Sequence, residues 1–201
     1  MSKENKVDEI KKFWPKNAPN FDNVPKYINK YKKELIVIKY GGNVLIDRKI
    51  FNNFIEDISI LNKLGLSIIV VHGGGPRIER KLKEENIQTK FINGLRVTDK
   101  KVISIIEDVL IDFNKDIVDS LKKKGSEAVS ITSKTNNVIN VVPDNKELGF
   151  VGIPKSINIE FLKSIINKKQ IPVIAPLGID KDKNTYNING DTAASAIAKK
   201  L

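Results

Sequence analysis

The sequence contains no cysteine, which excludes disulfides, thiolate metal sites and a cysteine nucleophile. Histidine is nearly absent. His72 stands alone with no partner base or nucleophile legible beside it, so a structural hydrogen-bonding role is expected for it, and neither a nucleophilic triad nor a metal cluster is expected. No apolar run approaches the roughly 20 residues that span a bilayer, and the first 30 residues carry charge where a signal peptide would have an apolar block. These absences predict a cytoplasmic chain without a membrane partner. Arginine is scarce: only four of the 35 basic residues are arginine (Arg48, Arg77, Arg80 and Arg96), and the lysines are spread over helix faces with no aromatic interleaving. The net charge of +11 therefore reads as solvated lysine faces with some steering of small anions, and no nucleic-acid partner is expected.

What is present is the make-up of a globular protein of one domain or a little more: 201 residues, 40% hydrophobic and 29% charged. The stretch Leu35-Ile-Val-Ile-Lys-Tyr-Gly-Gly-Asn43 organises the rest. Leu35 to Ile38 form a continuous apolar, β-branched run, the pattern of a strand covered on both faces in a parallel sheet. Lys39 stands at its carboxyl end, the end at which ligands collect in open α/β sheets. Gly41 and Gly42 lack a Cβ, so the chain can turn there and bring N–H groups close to an anion. A helix is predicted from Arg48 to Leu64 with Gly65 as its stop, followed by a second buried strand, Leu66 to Val71, that runs into His72-Gly-Gly-Gly-Pro76. A further helix is predicted to start near Ile78. Strand, helix, strand, glycine turn and helix is the order that builds a parallel sheet by right-handed crossovers.

Around Asn93-Gly94 the segment Phe91 to Thr98 reads as an extended pair, which puts Arg96 on a short strand. Asp99 to Lys124 is the longest predicted helix, with one broad apolar stripe and Gly125 as its stop. Beyond it, Ala128 to Ile131 reads as a strand, and Val138 to Val142 is expected to pair with Gly149 to Gly152 as an antiparallel excursion. A helix over Ile159 to Ile166 and a strand over Ile171 to Ala175 follow. Pro172 argues that its N–H is not needed in a ladder, which puts it at a strand start or an edge. The segment Tyr186-Asn-Ile-Asn-Gly-Asp191 opens the last helix, with Asp191 a candidate N-cap. In front of the sheet, Val7, Ile10, Phe13 and Trp14, then Val24, Tyr27, Ile28 and Tyr31, predict two short amphipathic helices.

The chemistry points to anions. Lys39 with Gly41 and Gly42, the glycines from Gly73 to Gly75, Arg96, and Asn187, Asn189 and Asp191 supply cations and bare amides. A planar guanidinium holds a carboxylate or phosphate by two hydrogen bonds, and phosphoryl transfer asks mainly for donors and cations around the moving group. Neither a Walker A motif nor the protein-kinase glycine loop is present. Taken together, VIKYGGN, VVHGGGP, NGLRVTD, LGFVG, IPVIAPLG and YNINGDTAA, in this order and spacing, resemble the acetylglutamate kinases of the amino acid kinase family over Leu35 to Leu201. NGLRVTD and YNINGD are the most discriminating pieces.

That resemblance implies an α/β fold, a three-layer αβα sandwich with a mostly parallel central sheet. Residues 34–201 would form the amino-acid-substrate lobe and residues 1–33 a helical extension. It implies transfer of the γ-phosphoryl of ATP, with Mg2+ accompanying the nucleotide, to the side-chain carboxylate of N-acetyl-L-glutamate in arginine biosynthesis. By the same resemblance, Lys39 neutralises charge on the moving phosphoryl group, and Asp191 positions the active-site lysines. Gly42, Gly74 and Gly75 are similar to amides that cradle the reacting oxygens. Arg96 resembles the clamp on the substrate's α-carboxylate, Asn187 holds the acetylated amino acid, and Gly41 and Asn189 lie near the phosphates. No metal ligand is implied. The segment YINKYKKELIVIKYGG resembles the extra helix of the arginine-inhibited members, which implies a homo-oligomer, a hexamer built through residues 1–33, with L-arginine as inhibitor.

Two departures accompany it. The family continues past Leu201 into a nucleotide-binding half with a second phosphate-neutralising lysine, so this chain is expected to bind acetylglutamate weakly and turn over poorly. Gly190 stands where alanine is usual, and Ile153 where an acidic residue is common. The alternatives are a non-catalytic amino-acid-binding or regulatory subunit, and a sister kinase acting on another acylated amino acid.

Overall fold

The computed structural model describes residues 11, 14, 16, 18, 20–41 and 47–201. Its core is a sheet of four parallel strands: β1 (Leu35–Tyr40), β2 (Ser67–His72), β5 (Ala128–Ile131) and β8 (Ile171–Ile174), in the order β1-β2-β8-β5. Strand alternation sorts the side chains. Ile68, Val70 and Val173 face a cluster containing Ile55, Ile58, Phe113 and Ile117, from helices α2 (Arg48–Lys63) and α4 (Lys100–Lys123). Ile69, Val71 and Ile174 face the opposite cluster with Leu162, Ile165, Ala194 and Ile197, from α5 (Ile159–Asn167) and α6 (Gly190–Ala198). Helices therefore cover both faces, the expected three-layer sandwich, and this is why the strands could be read as unbroken apolar runs.

Local chemistry places the helix ends. Asp47 Oδ1 accepts from the Lys49 and Ile50 amides to open α2, and Asp99 Oδ1 accepts from Lys101 and Val102 to open α4. Gly65 and Gly125, both at positive φ, follow the ends of α2 and α4 as predicted. Helix α3 (Gly75–Glu84) starts earlier than the apolar period indicated, inside the glycine run, because Pro76 in its first turn is pre-set for a helix. Asn93 and Gly94, both at positive φ, turn the hairpin of β3 (Phe91–Ile92) and β4 (Leu95–Arg96). Helix α1 (Val24–Tyr31) leaves Tyr27 and Tyr31 exposed while Ile28 packs on the core, and the predicted helix of Val7, Ile10 and Phe13 lies outside the described residues. Among the described residues no helix is long and apolar enough to cross a membrane.

One expectation needs correction. The strand paired with β6 (Ile139–Pro143) is β7, Gly152–Ile157, which begins where the expected partner Gly149 to Gly152 ends. Residues 149 to 151 instead meet Thr98 and Asn187 in isolated bridges. Pro172 stands at the start of its strand, as expected, although that strand is an inner one. It is tolerated because the ladder with β2 begins only at Val173, so no partner there asks for the missing N–H. Strands β9 (Leu177–Ile179) and β10 (Thr185–Asn187) complete a second sheet in the order β10-β9-β6-β7.

Gly149 ties two of the sequence motifs together. The Thr98 amide donates to the Leu148 carbonyl at 2.9 Å, and the Phe150 amide to the Thr98 carbonyl at 2.7 Å. A Cβ on Gly149 would lie 2.3 Å from that Thr98 oxygen, and its φ of +67° already disfavours any side chain. Gly149→Ala should lower unfolding free energy by about 2 kcal/mol or more in denaturant titrations; an unchanged midpoint would refute this account of the junction.

Candidate active site

Strand parity decides where Lys39 points. Ile36, Ile38 and Tyr40 pack toward α2 and α4, so Lys39 faces the other side, where α6 begins. There the Lys39 Nζ lies 3.1 Å from Asp191 Oδ1 and 3.3 Å from Oδ2. Asp191 is not the N-cap. That role belongs to Asn189, whose Oδ1 accepts from the Asp191 and Thr192 amides at 2.9 and 3.1 Å, leaving the Asp191 carboxylate free to meet the lysine. Gly41 serves this pair by its bareness: a Cβ there would stand 2.6 Å from Lys39 Cε. Gly42 lies outside the described residues. A Cβ on Gly190 would meet nothing nearer than 3.5 Å, so alanine would fit there and space does not require the glycine.

Lys39, Gly74, Gly75, Arg96, Asn187, Asn189 and Asp191, from four separate segments, line one cavity of about 220 Å³. Gly74 and Gly75 open α3, so their amides have no carbonyl partner inside the helix. A Cβ on Gly74 would fall 2.4 Å from Leu110 Cδ2, which lets α4 come up against the glycine run. Asn187 is held by its amide donating to Phe150 and, one residue on, by the Ile188 amide donating to Pro176, so the motifs LGFVG, IPVIAPLG and YNINGD meet along one wall. A larger hollow of about 370 Å³ lies over Arg77, Asp116 and Lys123, but there Arg77 and Asp116 already pair at 2.7 Å.

The sequence reading missed what holds Arg96. Its side chain is 8% exposed and donates to Thr89 Oγ1 and, at 2.8 Å, to Glu79 Oε2, a carboxylate that is 65% exposed. The guanidinium also lies 4.6 Å from the centre of the Phe91 ring. These contacts use two of the five N–H groups an arginine carries and fix the plane of the fork. Also missed were the apolar lining residues Ile78, Leu110 and Pro176, which no local pattern distinguishes from ordinary core.

His72, fully buried, is pushed down to about 4 from its usual 6.5 by desolvation, and the Arg77 charge acts in the same direction, against the Gly73 hydrogen bond. The ring is therefore neutral where free histidine would charge, which suits the structural role expected of it. Because its folded pKa lies below its unfolded one, the unfolded chain takes the proton first. Its contribution to stability is whole above pH 6.5 and is lost as pH falls toward 4, at about one proton's slope and about 3 kcal/mol in total. Denaturant titrations from pH 7 to 4.5 on the chain and on His72→Asn should differ by that slope; parallel curves would contradict it.

With this geometry in hand, three comparisons bear on the chain. Residues 34–201 match the family described as amino acid kinase family. The chain is 56% identical over 194 residues to an acetylglutamate kinase of Pelagibacter ubique, covering 96% of this chain and 67% of that protein. It is 44% identical over 177 residues to an acetylglutamate kinase of Clostridioides difficile, covering 87% of this chain and 62% of the relative. The chain thus spans about two thirds or less of the length of these relatives. Among solved structures, smu.665 from Streptococcus mutans superposes with a TM-score of 0.73 at 31% identity, covering 84% of this chain and 69% of that one. Fold, motif order and these matches agree, and the chain belongs to the amino acid kinase family.

Proposed function

We propose that this chain carries the amino-acid side of an acetylglutamate kinase, with residues 34–201 as the substrate lobe and N-acetyl-L-glutamate and ATP as substrates. The observation that carries the reading is the single cavity in which a lysine, two uncommitted glycine amides, a pinned arginine fork and two asparagines converge. At about 220 Å³ it is smaller than the roughly 300 Å³ at which drug-sized sites begin, and it suits a small metabolite. The similarity to acetylglutamate kinases of Pelagibacter ubique and Clostridioides difficile supports the same reading.

In this reading the remaining donors of Arg96 hold the α-carboxylate, Asn187 the acetylated amino group, and the apolar wall of Leu110 and Pro176 the methylene stem. An oxygen of the side-chain carboxylate then attacks the γ-phosphorus of ATP, the bond from that phosphorus to the bridging oxygen breaks, and an acyl phosphate and ADP leave. The attacking carboxylate is already ionised, so no general base is required. The chain's task is to place charge: the Lys39 ammonium, kept in place by Asp191, sits where negative charge shifts between oxygens. Gly74 and Gly75 amides add donors that need no reorganisation. Mg2+ would accompany the nucleotide and supply further positive charge at the phosphates, and Asp191 is the carboxylate lining the cavity that would face it.

Calorimetry with N-acetyl-L-glutamate, together with ADP release in the presence of ATP, tests this reading. Binding of N-acetyl-L-glutamate with rejection of L-glutamate is expected, since a site that hydrogen-bonds an acetyl group penalises its absence. Equal affinity for the two, or none for either, overturns it. Lys39→Met should reduce turnover by about a hundredfold or more with little change in acetylglutamate affinity, whereas Arg96→Lys should weaken that affinity by about tenfold through loss of the two-point fork.

The oligomer belongs to the same proposal. Tyr27 and Tyr31 are exposed on α1, a helix rich in aromatic side chains at the front of the chain, and aromatic residues concentrate at protein interfaces. We take residues 1–33 to join subunits into a hexamer, with L-arginine as the inhibitor. Gel filtration of the chain with and without these residues should show a smaller assembly for the shortened form; identical elution volumes for the assembled species would reject it.

A further inference from the structure

One set of buried polar residues in the core forms a chain of hydrogen bonds that ends at the cavity. Asn114, on α4, is fully buried, and its Nδ2 lies 2.9 Å from the Val173 carbonyl and 3.2 Å from His72 Nε2, while its Oδ1 accepts from the Ser130 hydroxyl at 2.6 Å. These partners leave one consistent assignment. The Val173 oxygen can only accept, so the amide nitrogen of Asn114 must face it. That same nitrogen then donates to Nε2, which must be bare. The ring proton therefore sits on Nδ1, 2.8 Å from the Gly73 carbonyl oxygen, and is donated to it. Phe113 closes the ring's edge at 5.1 Å between centroids.

Gly73 is thus held at both of its polar groups, its N–H donating to the Tyr40 carbonyl at 2.6 Å and its C=O accepting from His72. In a planar trans peptide the carbonyl of one residue and the N–H of the next point in opposite directions. A Gly73 oxygen tied to the buried ring sends the Gly74 N–H the other way, and Gly74 forms part of the cavity wall.

We propose that His72, held in its Nδ1–H form by Asn114, is a positioning residue: it fixes the Gly73 peptide so that the Gly74 amide points at the oxygen that meets phosphorus. What the amide meets rests on the phosphoryl-transfer reading; the lock itself rests on the hydrogen bonds above. The ring never touches substrate. The same chain explains why a side chain on the α4 helix matters to a loop it does not contact: Asn114 spans β2, β8 and β5 near the strand ends that carry the site.

The test compares two replacements that differ in where they put a donor. The amide nitrogen of an asparagine side chain falls where Nδ1 was and that of a glutamine where Nε2 was, so His72→Asn keeps the bond to the Gly73 carbonyl and His72→Gln loses it. In the parent chain, ring nitrogen resonances should show the Nδ1–H form, and in Asn114→Asp, which replaces the donor by an acceptor, Nε2 should become protonated. The Gly74 amide resonance should stay near its parent position in His72→Asn and move in His72→Gln. ADP release should stay within about threefold of the parent in His72→Asn and fall by about tenfold or more in His72→Gln, with acetylglutamate affinity little changed in both. A parent ring protonated on Nε2, or His72→Asn and His72→Gln alike in the Gly74 resonance, overturns the lock. If His72→Gln does not fold, the parent ring spectrum and the His72→Asn resonance still decide. A parent chain that binds no acetylglutamate counts against the phosphoryl-transfer reading alone, because the ring and amide resonances are read without substrate.

Discussion

The ion pair of Lys39 and Asp191 joins residues 152 positions apart, and the site depends on its being possible. It requires β1 to present Lys39 on the α6 face, which strand parity provides once Ile36, Ile38 and Tyr40 are committed to the opposite face. It requires Gly41 to carry no side chain where the lysine passes. It also requires Asn189 to cap α6, so that the Asp191 carboxylate is left for Lys39. With 31% of the lysine side chain and 73% of the aspartate exposed, the pair adds little to stability. Its value lies in where it holds an ammonium group.

Around that charge the chain is assembled by backbone bonds between motifs that lie far apart in sequence. Thr98 with Leu148 and Phe150, Phe150 with Asn187, and Pro176 with Ile188 are joined amide to carbonyl, so the cavity wall is main chain before it is side chain. Such a wall is rigid because few rotatable bonds separate its donors from the core. It is also intolerant at a few points, Gly149 above all, where another residue's carbonyl occupies the place of a side chain. Gly74 and Gly75 line the cavity at the start of α3, where first-turn amides are unused by their own helix.

One polar set in the core follows the same economy, although the buried Ser59 and Ser126 hydroxyls have no hydrogen-bond partner among the described residues. The buried His72 and Asn114 and the half-buried Ser130 each find a partner, and the low dielectric that makes an unpaired buried group costly also makes this satisfied set specific in orientation. The Arg96 fork is held differently, by one hydroxyl and one largely exposed carboxylate, so it is oriented without being neutralised in a dry interior.

Much of this was legible in the sequence because it is local. The runs at Leu35 to Ile38 and Leu66 to Val71, the Asn93-Gly94 turn and the Gly65 and Gly125 stops each depend on residues within a turn or two of one another, and the motif order carried the family. Pairings across the fold were not legible. Nothing near His72 in sequence names Asn114 as its partner, 42 residues on, nothing near Arg96 marks Glu79, and Pro172 left strand start and sheet edge open because the point where a neighbouring strand begins is not a local property. The sequence by itself determined which segments are strands and helices and which residues bring charge and bare amides; the tertiary structure alone decided which of them face one cavity, because facing depends on strand order, parity and close approach between segments whose separation along the chain carries no distance information.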